Sequence, residues 1–153
     1  MVQLPKSAQD SGCWLVRSLM PGAEAEPRGQ LRRQVETSVN AVAGGAGGVI
    51  LGRAAAVVLA GRPLAFHVRL IGPVDRRLAR AMSIEGATEE EARTRLADTD
   101  KAWSRFVSRL FDKDPADPNL YHIVLDTTAL PLDGCVEVIA AAARSFWSSA
   151  AGQ

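Results

Sequence analysis

The chain has 153 residues and a formal net charge of +1, with 47% apolar and 23% charged residues. That is enough for one domain with its own core, and it gives no global electrostatic pull toward nucleic acid or an anionic membrane. No apolar run reaches the length needed to span a bilayer, and the first residues lack the long apolar centre of a secretory leader.

Residues 1–29 read as a weakly organised segment: "CWLVRSLM" (13–20) offers a turn or two of helix, and "PGAEAEPRG" (21–29) is loop. Domain-like patterning covers residues 30–149. Leu31, Val35, Val39 and Val42 recur at helical spacing with Arg32, Arg33 and Glu36 opposite, and Gly44 and Gly45 end that helix. "GVIL" (48–51) is then predicted as a buried strand, running into Gly52 and Arg53. "AAAVVLAG" (54–61) is a short helix stopped at Gly61, and "LAFHVRLIG" (64–72) is a second strand. Pro73 opens a helix over 73–84 that carries Arg76, Arg77 and Arg80, with Asp75 near its positive end.

Thr88 and Glu91 have capping-box spacing, so a long helix is predicted from about Thr88 to Phe111. Leu96, Trp103, Val107 and Leu110 form its apolar stripe. Asp100 falls on that stripe, where a cation or a hydrogen-bonding ligand would explain a carboxylate; the alternative is a helix tilted so that its middle reaches solvent. Asp98, Arg95, Arg105 and Arg109 share the opposite face as surface pairs. "DKDPADPN" (112–119) is loop, and "YHIVLDTT" (121–128) is a third strand. Asp133 is placed to cap a last helix with Val136, Ile139, Ala140 and Ala143 inward. Cys13 and Cys135 have no metal-ligand spacing, so both are read as reduced thiols of a cytoplasmic protein.

Strands alternating with helices predict a parallel, layered α/β sheet, in which ligands bind beyond the carboxyl ends of the strands. Arg53 lies at one such end, Arg76, Arg77 and Arg80 follow the next, and Asp126 ends the third. The alternative is that these charges are solvated helix and loop residues.

"GGVILGRAA", "VRLIGPVDRRLARAM" and "YHIVLDTTALPLDGCVEVI", in that order over roughly residues 30–146, resemble the cytidylate kinase-like family of P-loop nucleoside monophosphate kinases. The resemblance implies a three-layer parallel sheet of the P-loop kinase type. It also implies phosphoryl transfer from ATP to CMP, dCMP or a similar nucleotide, with Mg²⁺. In that reading Arg53 meets the acceptor phosphate, Asp100 helps bind the acceptor or orient the arginines, and Arg77 and Arg80 are the catalytic lid arginines, whose planar forks suit phosphate oxygens. The family usually has an arginine three residues after the aspartate, where this chain has Trp103.

No G-x-x-x-x-G-K-[ST] occurs in the sequence: the lysines are Lys6, Lys101 and Lys113, and "GGAGG" (44–48) precedes a strand and lacks a lysine. The sheet is therefore expected to be N-terminally incomplete, without the family's central strand, and the chain inactive alone. Either the strands at 48–52 and 65–71 pair directly, or the chain self-associates or takes a partner chain that completes the sheet. The alternative function is a non-catalytic protein that binds a nucleotide or another phosphate-bearing small molecule, or an interaction module.

Overall fold

The computed structural model describes residues 28–45 and 48–150. The expected helix at 13–20, the loop before residue 28, Lys6 and Cys13 lie outside the described residues. Helix α1 (Arg28–Gly44) is followed by a segment at 48–51 without regular secondary structure and a single helical turn, α2 (Ala55–Val58). Strand β1 (Val68–Ile71) leads into α3 (Val74–Glu85), and α4 (Glu89–Phe111) follows. A 3₁₀ turn (Pro118–Leu120), strand β2 (Ile123–Asp126) and α5 (Leu132–Ala150) complete the order.

The largest buried cluster is helical. Val35 and Val39 of α1 meet Ala54 and Leu59 around α2, and Val107, Leu110 and Phe111 of α4. Leu31, Trp103 and Phe106 extend it, so the apolar stripes of α1 and α4 face each other as their periodicity requires. Val42, at the end of the α1 stripe, is exposed.

The sheet is smaller than the sequence predicts. It has two parallel strands, β1 and β2, in the register Val68↔Ile123 to Ile71↔Asp126. Each strand starts later than its apolar run because the preceding residues make other bonds. The His67 backbone N–H donates to His122 Nδ1 at 2.9 Å, and the His122 N–H donates to the His67 carbonyl at 2.8 Å. The segment at 48–51 belongs to no strand, so the expected strand at 48–52 is not formed and does not pair with β1. An apolar run becomes a strand only when another backbone edge accepts its hydrogen bonds, and none reaches it among the described residues.

Arg69, inside β1, anchors the proline-rich loop. Its guanidinium donates to the Pro115 carbonyl and lies 5.6 Å from the Tyr121 ring centroid, and the Tyr121 hydroxyl donates to the same carbonyl at 3.0 Å. Burial pushes the Tyr121 phenol above its usual range. Helix α5 begins at Leu132, so Asp133 lies within its first turn and is not its cap. Its buried residues are Cys135 and Ala143, while Val136, expected inward, is 52% exposed. Near its end, Phe146 and Trp147 pack on Phe66, and the Trp147 indole donates to the Leu64 carbonyl at 3.0 Å. No described helix is long and apolar enough to cross a membrane.

Candidate anion site at the carboxyl ends of the strands

Parallel strands point their carboxyl ends the same way, so the residues following β1 and β2 emerge together. After β2 the chain turns sharply. The Asp126 carboxylate accepts from the Thr128 backbone N–H at 2.8 Å and from its hydroxyl at 2.6 Å. Those bonds, and then the nearby Arg76 charge, hold the Asp126 carboxyl below the usual carboxylate range. The Thr127 N–H donates to the Ile71 carbonyl at 3.0 Å, which fastens this turn to the end of β1. Gly72 makes the fit possible: a Cβ there would lie 2.5 Å from Thr128 Cγ2 and 3.2 Å from Arg77 Cγ.

Gly72 and Pro73 deliver the chain into α3, and the helix presents its arginines to this turn and to α4. Arg76 Nη1 lies 3.8 Å from Asp126 Oδ2. Arg80 Nη1 donates to the Thr127 carbonyl at 3.0 Å. Arg77 reaches the other way and donates from both terminal nitrogens to the two oxygens of Asp100, each at 2.8 Å. That paired contact raises the Arg77 guanidinium above its ordinary value.

Asp100 is paired with a cation, but it does not sit on a buried face, and the alternative of a helix whose middle reaches solvent is the one that holds. Its side chain is 51% exposed, so the middle of α4 turns it to solvent at the margin of the apolar stripe. Arg95, expected to pair along its own helix, instead donates across to Glu85 at the end of α3. Two ion pairs thus join α3 to α4, one near each end of α3.

Arg53 is held differently. Gly52, Arg53 and Ala54 have φ of 72°, 54° and 51°, three successive left-handed residues. The conformation costs a non-glycine residue roughly 1–2 kcal/mol, and burial of Ala54 in the helical core offsets it. Arg53 is half-buried and has no hydrogen-bond or ion-pair partner among the described residues. The structure joins Arg76, Arg77, Arg80, Asp100 and Asp126 through α3, and no hydrogen bond or ion pair among the described residues links Arg53 to them. Thr127 and Thr128 stand in the "DTT" turn that carries part of the family resemblance, but no role at the site is expected of them from the sequence. Their signal was two hydroxyl residues directly after a strand ending in aspartate, the pattern of a side-chain-closed turn.

The sequence comparisons bear on this geometry. The cytidylate kinase-like family matches residues 7–129. The chain belongs to the cytidylate kinase-like family. The match runs through α3, α4 and the turn after β2, and it begins earlier than the resemblance read from the sequence. The cytidylate kinase of Methanopyrus kandleri is 35% identical over 107 residues, covering 63% of this chain and 54% of that protein. A uronate isomerase of Corynebacterium glutamicum is 28% identical over 93 residues, covering 61% of this chain but 18% of the isomerase. The chain thus spans about half the length of the kinase and less than a fifth of the isomerase. No solved structure matches the chain.

Cytidylate kinases in general use ATP and Mg²⁺. The described residues do not fit a triphosphate–metal cradle. Lys101 and Lys113 are exposed on α4 and in the loop after it, away from any glycine turn. Among the described residues no group of three or more His, Cys, Asp or Glu is placed to hold a metal ion.

Proposed function

We propose that this chain carries the acceptor side of a nucleotide kinase-like site. It would bind the phosphate of a CMP-like nucleotide through Arg53, Arg77 and Arg80, with Asp100 beside them, and would not transfer phosphate by itself. The observation that supports this reading most is the placing of α3 in a member of this family, with Arg76 and Arg80 on the turn at the carboxyl ends of two parallel strands and Arg77 between that turn and α4. Guanidinium groups at that edge offer paired donors to phosphate oxygens. The sequence supports the second half of the reading, because no glycine loop with a lysine is present to cradle ATP.

Calorimetric titration with CMP and pyrophosphate tests the binding. The expected result is weak binding that fades as salt rises, and that weakens further in Arg53→Ala and in Arg77→Ala. Unchanged binding in Arg53→Ala removes that residue from the site. Steady turnover of CMP with MgATP by the purified chain would overturn the non-catalytic part.

A further inference from the structure

Every arginine of α3 is already engaged by an oxygen of the protein. Arg76 faces Asp126, Arg80 donates to the Thr127 carbonyl, and Arg77 has both terminal nitrogens on Asp100. The three contacts differ in kind. A backbone carbonyl is a neutral acceptor, and at 3.8 Å the Arg76 pair is long. The Arg77–Asp100 pair alone presents two carboxylate oxygens to two N–H donors, the geometry that two oxygens of a phosphate group would present.

We propose that Asp100 is a built-in competitor for the anion that Arg77 binds, and that displacing it releases the start of α3 from α4. The inference rests on the reading of Arg77 as an anion contact. Three observations carry it. The Arg77 and Asp100 side chains are 31% and 51% exposed, so a solute reaches the pair without opening the core. A phosphate group carries more charge than the single carboxylate and offers the same two acceptor oxygens, so it competes directly for this solvent-reachable fork. The contacts at the two ends of α3 are also separable. Near its start α3 is tied to α4 by Arg77–Asp100, and at its end by Glu85–Arg95, next to Gly86 in a left-handed turn with φ of 64°. Losing the first contact while keeping the second leaves an ion pair between α3 and α4 at the C-terminal end of α3 only. Anion binding and the position of α3 are then coupled through one side chain, since the carboxylate and the phosphate cannot hold the same fork together.

The sign of one substitution decides the matter. Asp100→Asn removes the competing charge, so the purified chain is expected to bind pyrophosphate about two- to fivefold more tightly, as suits loss of a weak competing pair. Amide exchange in the first turns of α3 should rise in Asp100→Asn without ligand. In the wild type pyrophosphate should produce the same rise. In Arg77→Ala the gain from Asp100→Asn should vanish. If Asp100→Asn binds pyrophosphate more weakly or equally while Arg77→Ala weakens binding, Asp100 positions the arginine or is neutral, and the competitor is overturned with the anion site intact. If Arg77→Ala leaves binding unchanged, the anion reading of Arg77 fails and the inference falls with it. Asp100 is exposed, so the variant is expected to keep its fold, and circular dichroism with a thermal melt checks this.

Discussion

His67 is the buried polar side chain among the described residues, and its bonds define its proton. Its Nε2 lies 3.3 Å from the Leu59 carbonyl, which can only accept, so Nε2 carries the hydrogen. Its ring stacks on His122 at 5.2 Å between centroids, and His122 Nδ1 accepts the His67 backbone N–H. Burial pushes the His67 pKa below its ordinary 6.5. The Leu59 bond opposes that shift, and the His122 charge adds to it. The sign for stability follows. As pH falls through 6.5 the unfolded chain takes up the proton first, so stability drops until pH passes the lowered folded value and is constant below it. The urea midpoint is therefore expected to fall between about pH 8 and pH 5, and to fall less in His67→Gln. A midpoint equal across that range would show that His67 is not held neutral.

Among the elements, α4 has the most local definition. Thr88 Oγ1 accepts from the Glu91 N–H at 3.4 Å, and the Glu91 carboxylate accepts from the Thr88 N–H at 3.0 Å and its hydroxyl at 2.8 Å. Those bonds hold the Glu91 carboxyl below its usual range. Three acidic residues, Glu89, Glu90 and Glu91, also fill the positive first turn. Thr88→Ala is expected to cost about 1 kcal/mol, read as a lower urea midpoint with an unchanged slope. A loss under about 0.3 kcal/mol would mean that α4 is held by its packing alone. The cap matters for the site because α4 carries both Asp100 and Arg95, whose ion pairs join it to α3. The segment at 48–51 is the opposite case. Its run of apolar residues predicts a strand as well as "HIVL" does. Among the described residues only "HIVL" has a partner edge.

At the scale of the whole molecule, that unpaired segment leaves apolar surface open. Val49 is 99% exposed and Leu51 72%, while Leu70 and Ile71 of β1 are 54% and 41% exposed. The second edge of β1 has no strand partner among the described residues. Open edges with apolar side chains favour association. We expect the purified chain to self-associate through these residues, so that its sedimentation coefficient rises with concentration. Val49→Ser with Leu51→Ser should reduce the rise, at little cost to folding because both side chains are already in solvent. A wild-type chain that stays monomeric over the whole concentration range would show that this surface is tolerated as it stands.

The sequence by itself determined what depends on neighbours within a turn or two of chain. The stripe Leu31, Val35 and Val39 specified α1, the Thr88–Glu91 spacing specified where α4 begins, and the Gly72–Pro73 pair marked the entry to α3. The order of short motifs identified the family over most of the chain. Asp100 was legible as a carboxylate that a cation would explain, since a charge beside an apolar stripe is costly unpaired. The tertiary structure decided which cation. Arg77 is 23 residues away, and its choice of Asp100 over Asp126 follows from how α3 lies between α4 and the end of β2. It also decided the strands. A strand needs a second edge at hydrogen-bonding distance, and that edge is non-local. β1 and β2 found each other across more than 50 residues, whereas 48–51, equally apolar, has no partner edge among the described residues.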